Sequence, residues 1–220
     1  MAKINMQRSS CKDTFNAFMV EHAEYEGIFD VPKIEPTQCV PNKMIEFSKS
    51  ISTNDYNQWV HFYEDDYMFE RLWKTPAKYL DNLKKFNGVI LPDFSLYRDM
   101  PFVMQLWNIY RSRAIGVWLQ YNNINVIPNI RFGDRRTFQI CCSGIEKNSV
   151  IAIGSYGCLK STEDRRIFLE GFESVLKQLE PQKIVVYGST PDKYFKKYRE
   201  QGYEIIQFDS SYAISRKEVV

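Results

Sequence analysis

The sequence predicts an α/β protein: a mainly parallel sheet with flanking helices, preceded by an irregular N-terminal extension. Three observations carry that expectation. From residue 86 onward short apolar runs recur, "GVILPDF", "NVIPNI", "SVIAIGS", "KIVVYGS" and "YEIIQF". These runs are rich in Val and Ile and show no polar alternation, the pattern of strands covered on both faces. Helical patterns fill the intervals between several of them, as the crossovers of a parallel sheet require. Five such strands are too few for a complete eight-stranded barrel, which leaves an open doubly wound sheet or an incomplete barrel.

Each element has a local reason. Residues 1–85 are expected to form an extension and helical subdomain packed on an α/β core of residues 86–220. Pro32, Pro36 and Pro41 are spaced through "FDVPKIEPTQCVPNKM" and discourage regular structure there. Beyond them lie a short strand at residues 59–63, a helix opened by Asp65 or Asp66, and a second helix from about Pro76. In "MPFVMQLWNIYRSRAIGVWLQYNN", Val103, Leu106, Trp107, Tyr110, Ala114, Val117, Trp118 and Tyr121 fall at three- and four-residue intervals, which predicts an amphipathic helix. Asp99 is its expected cap. "STEDRRIFLEGFESVLKQLEP" opens with the capping candidates Ser161, Thr162 and Asp164, aligns Phe168, Phe172, Val175, Leu176 and Leu179 on one face, and stops at Pro181. A shorter helix in "PDKYFKKYREQG" is closed by Gly202.

Composition narrows the function classes. With 15 Phe, 14 Tyr and 4 Trp the chain has the apolar mass for a real core, which excludes a mainly disordered protein. The 29 Lys plus Arg nearly balance 27 Asp plus Glu, so charge alone does not name nucleic acid as the partner. No apolar run approaches the roughly 20 residues of a membrane span, and "MAKINMQRSSCKD" lacks the apolar core of a signal peptide. A cytoplasmic protein without a membrane partner is expected. The five cysteines include the adjacent pair Cys141 and Cys142 and form no C-x-x-C, and with only His22 and His61 beside them a structural zinc is disfavoured.

Ligands of open parallel sheets bind outside the carboxyl ends of the strands, where loops and helix N-termini converge. Two strand endings match: Leu91-Pro92-Asp93 and Ile127-Pro128-Asn129 are the same apolar-Pro-Asx unit, one strand-helix unit apart. They read either as two Asx turns or as Asp93 and Asn129 facing one ligand or a divalent cation such as Mg. Arg131 follows, a rigid fork suited to phosphate or carboxylate. Asp134 is a further catalytic candidate, although Gly133 and Asp134 also suit a solvated turn containing Arg135 and Arg136.

"GSYGCLKS" supplies Ser155, Gly157 and Lys160 as candidate anion contacts, and Ser189 ends the next strand. This loop narrowly misses G-x-x-x-x-G-K-[ST], because Leu159 takes the second glycine position, and a nucleoside-triphosphatase loop is rejected on that ground. Arg111, on the face that carries Asn108, is another ligand candidate. Cys158 reads as a small, partly buried thiol rather than a nucleophile. Glu64, Asp65 and Asp66 suit a helix N-terminus better than a metal site, and His61 reads as a packed histidine.

The segments "WVHFYEDDYMFERLW", "GVILPDFSLYRDMP", "WNIYRSRAIGVWLQ", "NVIPNIRFGDRRT", "AIGSYGCLK" and "VYGSTPD", in this order from about residue 25 to 208, resemble a family of bacterial, archaeal and phage-encoded proteins, the domain of unknown function numbered 4417. The resemblance implies a component of phages and other mobile elements, with roles in DNA metabolism, replication or counter-defence. It implies no particular site residues. From the residues themselves the leading expectation is an enzyme acting on a phosphate-bearing substrate, a nucleotide or nucleic-acid end. The alternative is a non-catalytic module that grips nucleic acid or a protein partner through Arg111, Arg131, Arg135 and Arg136.

Overall fold

A computed structural model describes residue 13 and residues 15–218 of the chain. A small antiparallel ribbon comes first, β1 (Tyr25–Glu26) and β2 (Val31–Pro32), turned through Gly27 and Asp30, both at positive φ. The main architecture then runs β3 (Met44–Glu46), α1 (Phe47–Ser50), β4 (Trp59–His61), α2 (Asp66–Lys74), α3 (Ala77–Leu83), β5 (Gly88–Ile90), α4 (Phe102–Tyr121), β6 (Val126–Ile127), β7 (Asn129–Ile130), β8 (Ile151–Gly154), α5 (Thr162–Leu179), β9 (Lys183–Tyr187), α6 (Asp192–Glu200), β10 (Glu204–Phe208) and α7 (Ser211–Glu218).

The strands form two parallel four-stranded sheets, ordered β3-β4-β5-β6 and β10-β9-β8-β7. Their seam is Pro128. Before it, Val126 and Ile127 pair with Val89 and Ile90; after it, Asn129 and Ile130 pair with Ala152 and Ile153. Proline has no N–H for a ladder, so it sits where one run changes partners, and its carbonyl still accepts from Ala152 N at 2.9 Å. Across the seam the strands follow one another in chain order.

The central strands are buried throughout, but successive side chains alternate between different cores, and this decides between the two architectures left open by the sequence. Val60, Val89, Val126, Ile151, Ile153, Ile184 and Val186 pack outward in two cores shared with the helices. Trp59, Ile90, Ile127, Ala152 and Val185 pack on one another, with Met44 and Phe208 from the outer strands, in a third core to which no helix contributes. A doubly wound sheet carries helices on both faces; here one face carries them and the other closes on itself. The fold is therefore an incomplete barrel, its two edge strands β3 and β10 unpaired with each other among the described residues. Ser211, just past β10, donates to the Glu46 carboxylate at the end of β3 and ties the open side.

Most expected elements are present. Ser161 caps α5 by accepting the Asp164 N–H at 3.0 Å, Glu180 ends that helix in the left-handed region, and Gly202 (φ 96°) follows α6. Three expectations need correction. The stretch past Pro41 is not wholly irregular, because Met44–Glu46 forms an edge strand against β4, and the sheet crosses residue 85 where Trp59 and Val60 pair with Gly88 and Val89. Pro101, not Asp99, occupies the cap position of α4. That helix is also not one-sided: Gln105, Asn108, Arg111, Ser112 and Arg113 are buried while Val103 and Tyr121 are exposed. The barrel lies on one side of α4 and the N-terminal segment on the other, so its polar residues are consumed as internal partners.

Candidate functional site

A cavity of about 590 Å³ opens at the carboxyl ends of the strands. Tyr63 follows β4, Asp93 follows β5, Arg131 follows β7, Gly154 ends β8 and Tyr187 ends β9, and all five line it. Glu64 and Asp65 ahead of α2 and Asp66 and Tyr67 in its first turn add to the lining, and the loop after β5 adds Ser95, Tyr97 and Met100.

The centre is a hydrogen-bonded chain. Tyr63 Oη donates to Asn129 Oδ1 at 2.9 Å, and Asn129 Nδ2 donates to Asp93 Oδ1 at 2.8 Å. Arg131 Nη1 stands 3.6 Å from the other oxygen, Asp93 Oδ2. Asn129 is buried and does not itself line the cavity. The Tyr63 ring stacks on Tyr187, with centroids 4.5 Å apart and planes at 9°. His61 lies against both rings, and its Nδ1 accepts the Tyr63 N–H at 3.2 Å.

Electrostatics follow from burial. Removal from water pushes the Asp93 carboxyl up; Arg131 and Asn129 oppose this and Asp66 adds to it, and the acid stays above its ordinary value. Arg131 is held protonated by Asp93. Burial pushes Tyr63 well above the ordinary phenol, with Asp93 adding to the effect, so its hydroxyl keeps its proton. Burial lowers His61 to about 4, so it is neutral near pH 7. The Cys158 thiol is pushed up by burial despite nearby Arg131.

The structure brings together Asp93, Asn129 and Arg131 and separates them from the other sequence candidates. Asp134 turns back on its own loop, where Oδ1 accepts the Arg136 N–H at 2.9 Å and Oδ2 meets Arg136 Nη2 at 2.8 Å. Ser155 is buried and donates to Ser189 O at 2.8 Å. Gly157 (φ 82°), Lys160 and Ser189 are exposed and do not line the cavity, and Lys160 lies over the Tyr156 ring. Arg111 is buried away from the cavity lining, bonded to both Glu70 oxygens at 2.9 Å and to Asn108 at 2.7 Å. Arg135 meets Glu170. Each of the four arginines expected on a basic face thus faces a carboxylate. Arg131 is held most loosely, and its Nε is buried without a hydrogen-bond partner among the described residues.

Two further features bear on ligand chemistry. Asp66 accepts both the N–H and the hydroxyl of Ser95, at 3.1 and 2.8 Å, and Glu64 accepts the Ser48 N–H, so these carboxylates brace neighbouring segments. Among the described residues no three His, Cys, Asp or Glu side chains converge as a metal site. Tyr63 is a site residue that no sequence motif singles out. Its signal was positional, since "VHFY" leaves β4 as "VVYG" leaves β9, each with a tyrosine at the strand end.

Fold and site define an α/β protein of the incomplete-barrel kind, with a polar and aromatic cavity at its strand ends. Residues 23–209 match the domain of unknown function DUF4417, and the chain belongs to that family. It is 35% identical over 169 residues to the Gene 1 protein of Mycobacterium phage L5, covering 75% of this chain and 73% of the relative. To the Gene 1 protein of Mycobacterium phage D29 it is 32% identical over 164 residues, 73% of this chain and 60% of that relative. No solved structure matches it significantly. No helix among the described residues is long and apolar enough to cross a membrane.

Proposed function

We propose that this phage-family protein is an enzyme that works in the strand-end cavity on a nucleotide or nucleic-acid end, with Asp93 as its acid–base group. The observation that carries the reading is the placement of Asp93: a largely buried carboxyl with a raised pKa, oriented by Asn129 and faced by Arg131, on the wall of the cavity. Perturbed titratable groups in a cleft at the carboxyl ends of strands are the usual mark of acid–base chemistry.

Arg131 lines the cavity and is the cationic contact for a phosphate, with its Nη1 standing 3.6 Å from Asp93, beyond hydrogen-bond reach. Glu64, Asp65 and Asp66 form the opposite charge on the lining. A substrate that turns its anionic end to Arg131 and its hydrogen-bond donors, such as sugar hydroxyls or a base amino group, toward these carboxylates satisfies both. Tyr67, Tyr97 and Tyr156 are exposed at the mouth and offer faces for a planar ring.

The test is incubation of wild type and Asp93→Asn with a panel of nucleotides and short oligonucleotides, reading products by chromatography and binding by calorimetry. Turnover lost with binding retained supports the reading. An active Asp93→Asn protein removes Asp93 from the chemistry.

A further inference from the structure

We infer that Tyr63 is a positioning residue: by donating to Asn129 Oδ1 it fixes the amide so that Nδ2 always points at Asp93 Oδ1, and the exchangeable proton of Asp93 is confined to Oδ2. This deepens the acid–base reading of Asp93 and rests on it. An asparagine amide has one accepting and one donating end. With Tyr63 Oη at 2.9 Å from Oδ1, turning the amide over would take away the acceptor of the buried Tyr63 hydroxyl proton and leave Asp93 Oδ1 facing an acceptor. The Tyr63 hydroxyl does not lose its proton in any ordinary range, so the constraint is permanent.

The two oxygens of Asp93 are thereby made unequal. Oδ1 accepts from Asn129, whereas Oδ2 faces Arg131 and the cavity. Gly154 lies beside that oxygen: a Cβ there would touch Oδ2 at ordinary contact, 3.9 Å, and press on the Tyr63 ring at 3.2 Å. The stack on Tyr187 holds the phenol in line, and the backbone N–H of Tyr63 is itself held by His61. The charged and titratable groups around Asp93 are Arg131 past β7, Asp66 on α2, Tyr63 past β4 and Cys158 in the loop after β8. Tyr63 is the member of that set that acts through Asn129.

Tyr63→Phe removes the hydroxyl and keeps the stacked ring. Without its anchor the Asn129 amide is free to turn and accept from neutral Asp93, which favours the protonated acid. Carbon-13 carboxyl NMR on aspartate-labelled full-length protein, with Asp93 assigned by Asp93→Asn, reads the effect directly. The loss of one hydrogen bond predicts an acid weakened roughly three- to tenfold in Tyr63→Phe. Asn129→Ala should shift Asp93 in the same direction, and adding Tyr63→Phe to it should change nothing more, which a merely structural tyrosine would not produce.

An unshifted Asp93 titration in folded Tyr63→Phe overturns the inference, as does a full additional shift in the Asn129→Ala background. A shifted titration alongside an Asp93→Asn enzyme that still turns over substrate keeps the Tyr63–Asn129–Asp93 chain and removes only the catalytic reading.

Discussion

Asp93 and Arg131 lie just past strands of two different sheets, β5 and β7, yet their side chains meet at 3.6 Å because the seam at Pro128 sets those strand ends side by side. Arg131 pulls the Asp93 carboxyl down against the effect of burial. Arg131→Ala should therefore raise the Asp93 pKa further. Carboxyl NMR titration measures it, and an unmoved or lowered value would mean that the two groups do not interact in solution.

The barrel interior makes a stability prediction at Gly88. A Cβ there would lie 2.4 Å from the Trp59 ring, which fills the space between β4 and β5. Gly88→Ala should cost about 1–3 kcal/mol through overpacking, read from urea unfolding. A neutral substitution would show that Trp59 does not pack into the interior.

Arg113 is a second structural anchor. It is 2% exposed and donates to the carbonyls of Ser143, Asn129 and Cys141. Methionine fills similar volume but leaves three acceptors without this donor, so Arg113→Met should destabilise by about 3 kcal/mol or more. The loss should also disturb Asn129, whose carbonyl Arg113 holds. Unfolding curves of the two proteins decide this, and equal midpoints would be evidence against it.

His61 sets a pH dependence. Its folded pKa of about 4 lies below the ordinary 6.5 because burial disfavours the charged ring. The unfolded chain therefore takes up the proton first. Stability should fall as pH drops from 6.5 to 4, by about 3 kcal/mol from this group, and level off below. His61→Phe should flatten that slope. A slope of equal size in the variant would assign it to other groups.

Much of this architecture was legible in the sequence, for identifiable reasons. Runs such as "KIVVY" are strands because branched apolar side chains suit a sheet covered on both sides, and the caps Ser161 and Gly202 act locally. The repeated Pro-Asx endings place Asp93 and Asn129 within hydrogen-bond reach, since Asp93 follows β5 and Asn129 follows its parallel neighbour β6 across Pro128. β3 was hidden because three residues on an edge strand carry little pattern, and α4 misled because a helix buried on several sides has no single apolar face. The fates of the arginines were not readable. Arg111, Arg135 and Arg136 are each committed to a carboxylate, two of these distant in the chain, Glu70 and Glu170, and one local, Asp134. Tyr63 escaped notice because its importance lies in a contact with Asn129, 66 residues away.

The most direct measurement of the central claim is a thermal-shift panel of nucleotides and short oligonucleotides on wild type, Arg131→Ala and Arg135→Ala. A ligand that binds the folded state raises the midpoint of unfolding. The account predicts at least one ligand that stabilises wild type and Arg135→Ala alike and has lost most of its effect on Arg131→Ala. Equal stabilisation of Arg131→Ala would place binding outside the Asp93–Arg131 cavity and contradict it.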